Sequence, residues 1–260
     1  MPFGLKNARA TFQRLVNHMF HPQIGWNVEV YVYDMLVKSA REMQHLDNLQ
    51  DIFDTLKWYN MKLNLRKCSF GVSSGKFLGF MVSYRGIEAN PDKIQAILSM
   101  EPLKNINVQS LTRRVVALNR FVSKATDKCL PFFRMLRKAF EWTDKCQRAF
   151  EDLKSYLTST SLLSLSKPGE ELYLYLVVSP HVVSSALIRE EGKVQRSIYY
   201  TSRALKGVEG QYLPMEKLAF SLAIAARKLR PYFQAHVINV LIDHSLKKAM
   251  NKLDVVGRLI

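Results

Sequence analysis

Apolar residues recur along this chain with two different periods, and the changes of period mark its elements. Between residues 8 and 20, Phe12, Leu15, Val16, Met19 and Phe20 fall on one face at helical spacing, and Gly25 closes that region. Val28, Val30, Tyr31, Val32, Met35, Leu36 and Val37 then crowd around a short break, which predicts two short strands joined by a tight turn. Residues 41–59 return to the helical period, with Leu46, Leu49, Ile52, Phe53 and Leu56 expected inward. Short strands are expected around 62–63, 69–72 and 76–83, separated by Ser and Gly turns. Helices and strands alternating in this way predict an α+β unit.

Asn90-Pro91-Asp92 opens a second stretch, where either Asn90 or Asp92 is able to cap a helix running to Met100. Residues 108–123 read as a helix with Leu111, Val115, Leu118 and Phe121 on one stripe and Arg113, Arg114 and Arg120 on the other face. Further helices are expected at 132–139 and 143–158, with Trp142 as a hydrophobic staple. Lys167-Pro168-Gly169 is a punctuation mark. Strand-like runs at 171–178, 182–189 and 194–201 follow, with Gly192 in the second turn, then a helix at 213–229 and a strand at 237–242. The expected division is 1–89, 90–166 and 167–260.

Composition narrows the class. The chain has 260 residues, 48% of them hydrophobic, enough for two or three structural units. Its net charge is +16, with 11 basic against 7 acidic residues in 1–90, 13 against 7 in 91–165 and 14 against 8 in 166–260. An excess spread so evenly is no basic tail, and it suits a phosphate backbone crossing several units. Cys68, Cys129 and Cys146 are odd in number and lack zinc-ligand spacing, which predicts reduced thiols. There is no signal-peptide pattern and no apolar run long enough for a bilayer, so a soluble chain in the cytoplasm or nucleus is expected, with no membrane partner.

The densest chemistry lies in Tyr31-Val32-Tyr33-Asp34-Met35-Leu36. A lone acid at a tight turn is either a turn-forming Asp or an oxygen ligand for a hard cation such as Mg²⁺. Around it stand Met1-Pro2-Phe3-Gly4-Leu5-Lys6-Asn7-Ala8, Thr11-Phe12-Gln13-Arg14, Met61-Lys62-Leu63-Asn64 with Lys67-Cys68, Phe70-Gly71-Val72, Gly75-Lys76-Phe77-Leu78-Gly79 and Gly86-Ile87-Glu88-Ala89-Asn90-Pro91-Asp92-Lys93-Ile94. In order and spacing these motifs resemble the reverse transcriptase of gypsy-type LTR retrotransposons, plant elements in particular. The likeness runs over almost the whole chain, through palm (1–89), thumb and connection (90–166) and an RNase H-like part (167–260). It implies a truncated α+β palm and thumb followed by a truncated α/β, mixed-sheet RNase H-like domain.

The resemblance also implies what should be found and what is missing. Nucleotidyl transfer in this family uses two Mg²⁺ ions held by three carboxylates, two of them in a Tyr-x-Asp-Asp turn. Here Tyr33 replaces the first of that pair, and a phenol stays neutral at pH 7. The third acid would precede the point where Met1 begins, leaving Asp34 as the one expected catalytic and metal-binding remnant. In the RNase H-like part, Val178 and Leu218 stand where acids are expected, Glu216 only neighbours its position, and Asp243 matches the next acid. Expected nucleic-acid contacts are the primer-grip turn Phe77-Leu78-Gly79, the nearby Lys62, Lys67 and Lys76, and Arg113, Arg114 and Arg120, whose helix face either grips phosphate or is merely solvated. Arg227, Lys228, Arg230, Tyr232 and Phe233 suit either backbone contact plus stacking or an ordinary helix end. Arg9 and Arg113 depart from a small residue and a Gly usual in the family, through decay or tolerated variation. The expected function is a piece of an RNA-directed DNA polymerase with an RNase H-like domain, without turnover in this copy. The alternatives are a basic remnant that binds RNA, DNA or their hybrid, or a decayed reading frame. The rest of a pol polyprotein is a possible partner.

Overall fold

Phe20, Val28 and Ile52 are all but completely buried where two helices close on a hairpin. These elements are α1 (Ala8–Met19), β1 (Val28–Tyr31), β2 (Asp34–Val37) and α2 (Glu42–Trp58). They belong to Met1–Tyr84, the first of two compact units, and the second is Arg85–Ile260. The structure, a computed structural model, describes residues 5–101, 106–135, 142–159 and 162–242, so Asp243 lies outside the described residues.

Val16 and Met19 carry the inner face of α1, while Leu15 turns out to be 38% exposed. At roughly 100° per residue it falls on the flank of the stripe instead of its centre. Leu46 was also expected inward and is 67% exposed. Asn48 takes the inner position, accepting a bond from the Asn27 amide at 3.0 Å and donating to Ser39 Oγ at 2.7 Å. That network ties the entry of β1 to the segment leaving β2, and hydrogen bonds of this kind fix a helix rotation.

Neither 62–63 nor 69–72 forms a strand. Asn64 accepts from the Arg66 amide at 3.2 Å and starts a single 3₁₀ turn, Leu65–Lys67, a local bond that competes with strand pairing. The run 76–83 is a hairpin, not one strand: β3 (Ser74–Phe77) pairs antiparallel with β4 (Phe80–Ser83), Phe77 opposite Phe80. Leu78 and Gly79 have φ of 52° and 75°, the left-handed pair that a type I′ turn requires.

The second unit opens with β5 (Gly86–Ala89) and α3 (Pro91–Leu98). Gly86 has φ 145°, and a Cβ there would collide with the Leu163 carbonyl. The close approach lets Ile87 and Leu163 exchange two backbone bonds of 2.9 and 3.0 Å. Asn90 is the cap of α3, accepting from the Asp92 amide at 2.9 Å, and Pro91 fills the first helical position. Three helices follow: α4 (Ile106–Ala117), α5 (Ala125–Met135) and α6 (Asp144–Thr158). The expected helix over 108–123 stops at Ala117 because the chain tightens into three-residue turns, Leu118 bonding to Val115 and Phe121 to Leu118. That period of three keeps Leu118 and Phe121 buried beside Leu111 and Val115. The helix expected over 132–139 starts earlier, at Ala125, and residues 136–139 lie outside the described residues. Trp142 acts less as a staple than as a bridge: its indole donates to Gln147 at 2.9 Å and its ring lies 6.1 Å from both Phe132 and Phe150.

The carboxy-terminal sheet has the order β8-β7-β6-β9, made of β6 (Leu172–Val178), β7 (Val182–Glu191), β8 (Val194–Ala204) and β9 (Ile238–Leu241). The first three are antiparallel, while β9 runs parallel to β6 and is reached through α7 (Pro214–Lys228) and α8 (Arg230–Ala235). Leu218, Ala219 and Ala225 of α7 pack with Leu172, Leu174 and Leu176 of β6 in one core. The fold is mixed α and β throughout, an α+β first unit and a second unit of helices followed by this mixed sheet.

Candidate active site

Tyr31 and Asp34 face each other across the last pair of the first hairpin, with Val32 and Tyr33 forming its two-residue turn. Val32 has φ 51°. A β-branched residue in the left-handed region costs on the order of 1–3 kcal/mol and persists only where its surroundings hold it. Gln13 of α1 supplies that hold: its Oε1 accepts the Val32 N–H at 2.6 Å and its Nε2 donates to the Val30 carbonyl at 3.2 Å. The Tyr33 ring lies 4.9 Å from Phe12 at 44°. The motif that contains Phe12 gives Gln13 no role by itself, because its backbone partners lie 17 and 19 residues further along the chain.

The turn borders an open cavity of about 560 Å³, lined by Arg9, Gln13, Tyr31, Tyr33, Asp34 and Leu78 among others. Leu78 carries the expected primer-grip turn to the same cavity, with Phe77 ending β3 and Gly79 completing the bend. Lys62, Lys67 and Lys76 are exposed and are not part of its lining. Among the described residues of the lining, Asp34 is the single carboxylate, and Arg9 adds a cation to it. Paired Mg²⁺ ions require several hard oxygen ligands bearing negative charge. One carboxylate, a phenol and a guanidinium do not fit them, and the described residues contain no group of three or more His, Cys, Asp or Glu able to hold a metal.

The three arginines of the helical segment diverge. Arg113 is exposed. Arg114 donates to the Ala96 carbonyl, and the Arg120 guanidinium lies 4.6 Å over the Tyr199 ring, so both are engaged within the protein.

In the sheet domain the positions expected for acids are apolar and packed. Leu218 is 6% exposed in the core, and Val178, at the end of β6, packs against it. Glu216 accepts from the Leu213 N–H at 3.0 Å and so caps the start of α7. The Lys217 ammonium, largely buried, donates to the Pro180 carbonyl at 3.2 Å, and Ser179 Oγ donates to Asp127 at 3.2 Å. The basic–aromatic group splits by location: Arg227, Lys228 and Arg230 are exposed, while Tyr232 and Phe233 pack on the core.

Known proteins agree with this architecture. The family described as reverse transcriptase (RNA-dependent DNA polymerase) matches residues 1–82, and the RNase H-like domain found in reverse transcriptase matches residues 142–240. The reverse-transcriptase family typically uses Mg²⁺. The retrovirus-related Pol polyprotein from transposon 297 of Drosophila melanogaster is 29% identical over 257 residues, covering 97% of this chain and 24% of that protein. The corresponding polyprotein from transposon 412 of the same organism is 30% identical over 249 residues, covering 94% and 20%. The transposon Tf2-3 polyprotein of Schizosaccharomyces pombe is 25% identical over 251 residues, covering 94% and 19%. The chain thus spans about a quarter or less of the length of these relatives. Among solved structures, the foamy viral protease-reverse transcriptase with an RNA/DNA hybrid has a TM-score of 0.83 at 21% identity, covering 100% of this chain and 37% of that one. The same enzyme with dsDNA has a TM-score of 0.79 at 22% identity, covering 98% and 54%. At such identities the likeness speaks for the fold. The chain is therefore an LTR-retrotransposon Pol polyprotein region, a reverse transcriptase part followed by its associated RNase H-like domain.

Proposed function

We propose that this chain descends from an RNA-directed DNA polymerase with RNase H of a gypsy-type, plant-like element, and that it holds nucleic acid without turnover at either centre. The observation that carries this reading is the donor set at the hairpin: Asp34 alone with Tyr33 beside it and Arg9 facing the same cavity. Charge neutralisation and positioning supply most of the rate in phosphoryl chemistry, so this set is ill suited to nucleotidyl transfer. Leu218 in the core, with Val178 packed against it, makes the same case for RNA hydrolysis. The net charge of +16 favours a polyanionic partner. An RNA–DNA hybrid or duplex DNA is the preferred ligand by analogy with the complexes of the foamy viral enzyme, ahead of single RNA or DNA strands. In this reading 1–89 acts as palm, 90–166 as thumb and connection and 167–260 as the RNase H-like domain. Arg113, Lys62, Lys67 and the turn at Leu78 approach the backbone, inside the cell and beside the remainder of a Pol polyprotein.

Filter binding of an RNA–DNA hybrid against salt, run beside primer extension in Mg²⁺ and Mn²⁺, tests both halves. Binding should fall steeply with salt, about one power of salt concentration per phosphate neutralised, and no primer should lengthen. Templated synthesis would overturn the loss of turnover. Absence of binding at low salt would overturn the holding role.

A further inference from the structure

We propose that a second copy of this chain docks on the outer side of α2 and the loop after it, forming a two-fold pair held by opposite charges around exposed apolar side chains. Helix α2 buries Asn48, Ile52 and Leu56 and turns Met43, Leu46, Asp47, Asp51, Asp54 and Trp58 to solvent. Three carboxylates on one side of a helix stand out in a chain of net charge +16, because they repel the polyanion that the rest of the surface attracts. The outer side of α2 therefore suits a basic protein surface and not nucleic acid.

The complement lies next to it. No Asp or Glu occurs from Thr55 to Ile87, and Lys62, Leu65, Arg66 and Lys67 are all exposed. The Phe70 ring, 6.0 Å from Phe53 of α2, sets this basic loop beside the helix, within the first compact unit. Trp58 is 85% exposed and Leu65 74%. Large apolar side chains bared among charges are the raw material of an interface core with a polar rim, and Trp is the residue type most often dominant in such a core. Two α2 helices laid on each other would set carboxylate against carboxylate, so the acidic stripe has to meet the loop. A two-fold axis lets each copy give its stripe to the other's loop, and the assembly closes at two. A partner of one sign would leave half of this surface unmatched. The proposal stands apart from the nucleic-acid-holding reading, with one overlap: Lys62 and Lys67 are proposed backbone contacts there, so a bound hybrid and a second copy exclude one another.

The test is sedimentation velocity of the nuclease-treated full chain over a concentration series at low and high salt. The parent should pair reversibly, and its affinity should fall about tenfold at high salt as the charges are screened. Asp47→Lys with Asp51→Lys, and separately Lys62→Glu with Arg66→Glu, should each abolish pairing. Mixing the two variants should restore it as a heterodimer, a rescue that mere damage to the fold would not produce. Trp58→Ala should weaken pairing about tenfold. A parent that stays monomeric, reversals that leave pairing unchanged, or a mixture that stays monomeric overturns the proposal. Assembly beyond two overturns the two-fold arrangement. Saturating RNA–DNA hybrid should release the pair, and a pair that survives with hybrid bound overturns the placement on Lys62 and Lys67. If no hybrid binds, the holding reading is lost and the charge reversals still decide the interface.

Discussion

The hairpin and the sheet domain both carry other residues at positions where the motif comparison expects acids, and the two places differ in their surroundings. At the hairpin, Tyr33 stands on an exposed turn where an acid is expected, and among the described residues the open cavity beside it is lined by one cation, Arg9, and one anion, Asp34. In the sheet domain, Leu218 stands in the hydrophobic core and the partly buried Val178 packs against it, with Lys217 bonded to the Pro180 carbonyl alongside. A replacement at an exposed turn changes chemistry and leaves the surface available for another use. A replacement that joins the core becomes part of what folds the domain, and its reversal costs stability.

The sharpest way to break this contrast is to place an acid at each position. Leu218→Glu should destabilise the chain by about 3–5 kcal/mol, because a carboxylate without a partner is forced into the core. Urea unfolding reads this directly, and an unchanged midpoint would mean that the sheet centre is still open. Next comes a buried pair in the same domain. Arg189, 7% exposed, is held by Glu170 at 3.0 Å, so Glu170→Ala should cost about 3 kcal/mol by stranding the guanidinium. The hairpin should respond more mildly. Gln13→Ala removes both bonds that hold the turn, with an expected loss of about 1–2 kcal/mol and faster hydrogen exchange at the Val32 amide. Tyr33→Asp forfeits the Phe12 contact and should cost about 1 kcal/mol, without restoring primer extension.

At neutral pH the smallest effect concerns Cys129, whose burial pushes its thiol up from 9.0 to about 12. Both folded and unfolded forms keep the proton below pH 9, so stability is unaffected there. Between pH 9 and 12 only the unfolded chain ionises, and stability should decline with rising pH. In the native protein at pH 9, an alkylating reagent should label the partly exposed Cys68 and leave Cys129 untouched.

The second unit's sheet was legible because its strands follow their own apolar patterning. The runs at 171–178, 182–189 and 194–201 correspond to β6, β7 and β8 within a few residues, and the helix and last strand followed in the expected order. The region 62–83 was not legible. Its apolar content suggests strands, but Asn64 makes a local turn, and Leu78 gives no sign in its side chain that its backbone turns left-handed. The site divided similarly. Asp34 and Tyr33 stood out as a departure from a motif, whereas Gln13 gained its role only once α1 was laid against the hairpin. Arg113, Arg114 and Arg120 looked alike as sequence, yet two of them have found partners inside the protein.

Residue identity and spacing by themselves determined the family, the order of its parts, the positive charge and the positions that depart from the expected acids, since each is a property of the chain read in line. Tertiary structure decided which replacements matter and how. Burial turns Leu218 into core and leaves Tyr33 on the surface, and only the folded chain brings Arg9 and Asp34 to one cavity. The reason is physical: a side chain's type fixes what it could do, while desolvation and neighbours, set by contacts far apart in sequence, fix what it does.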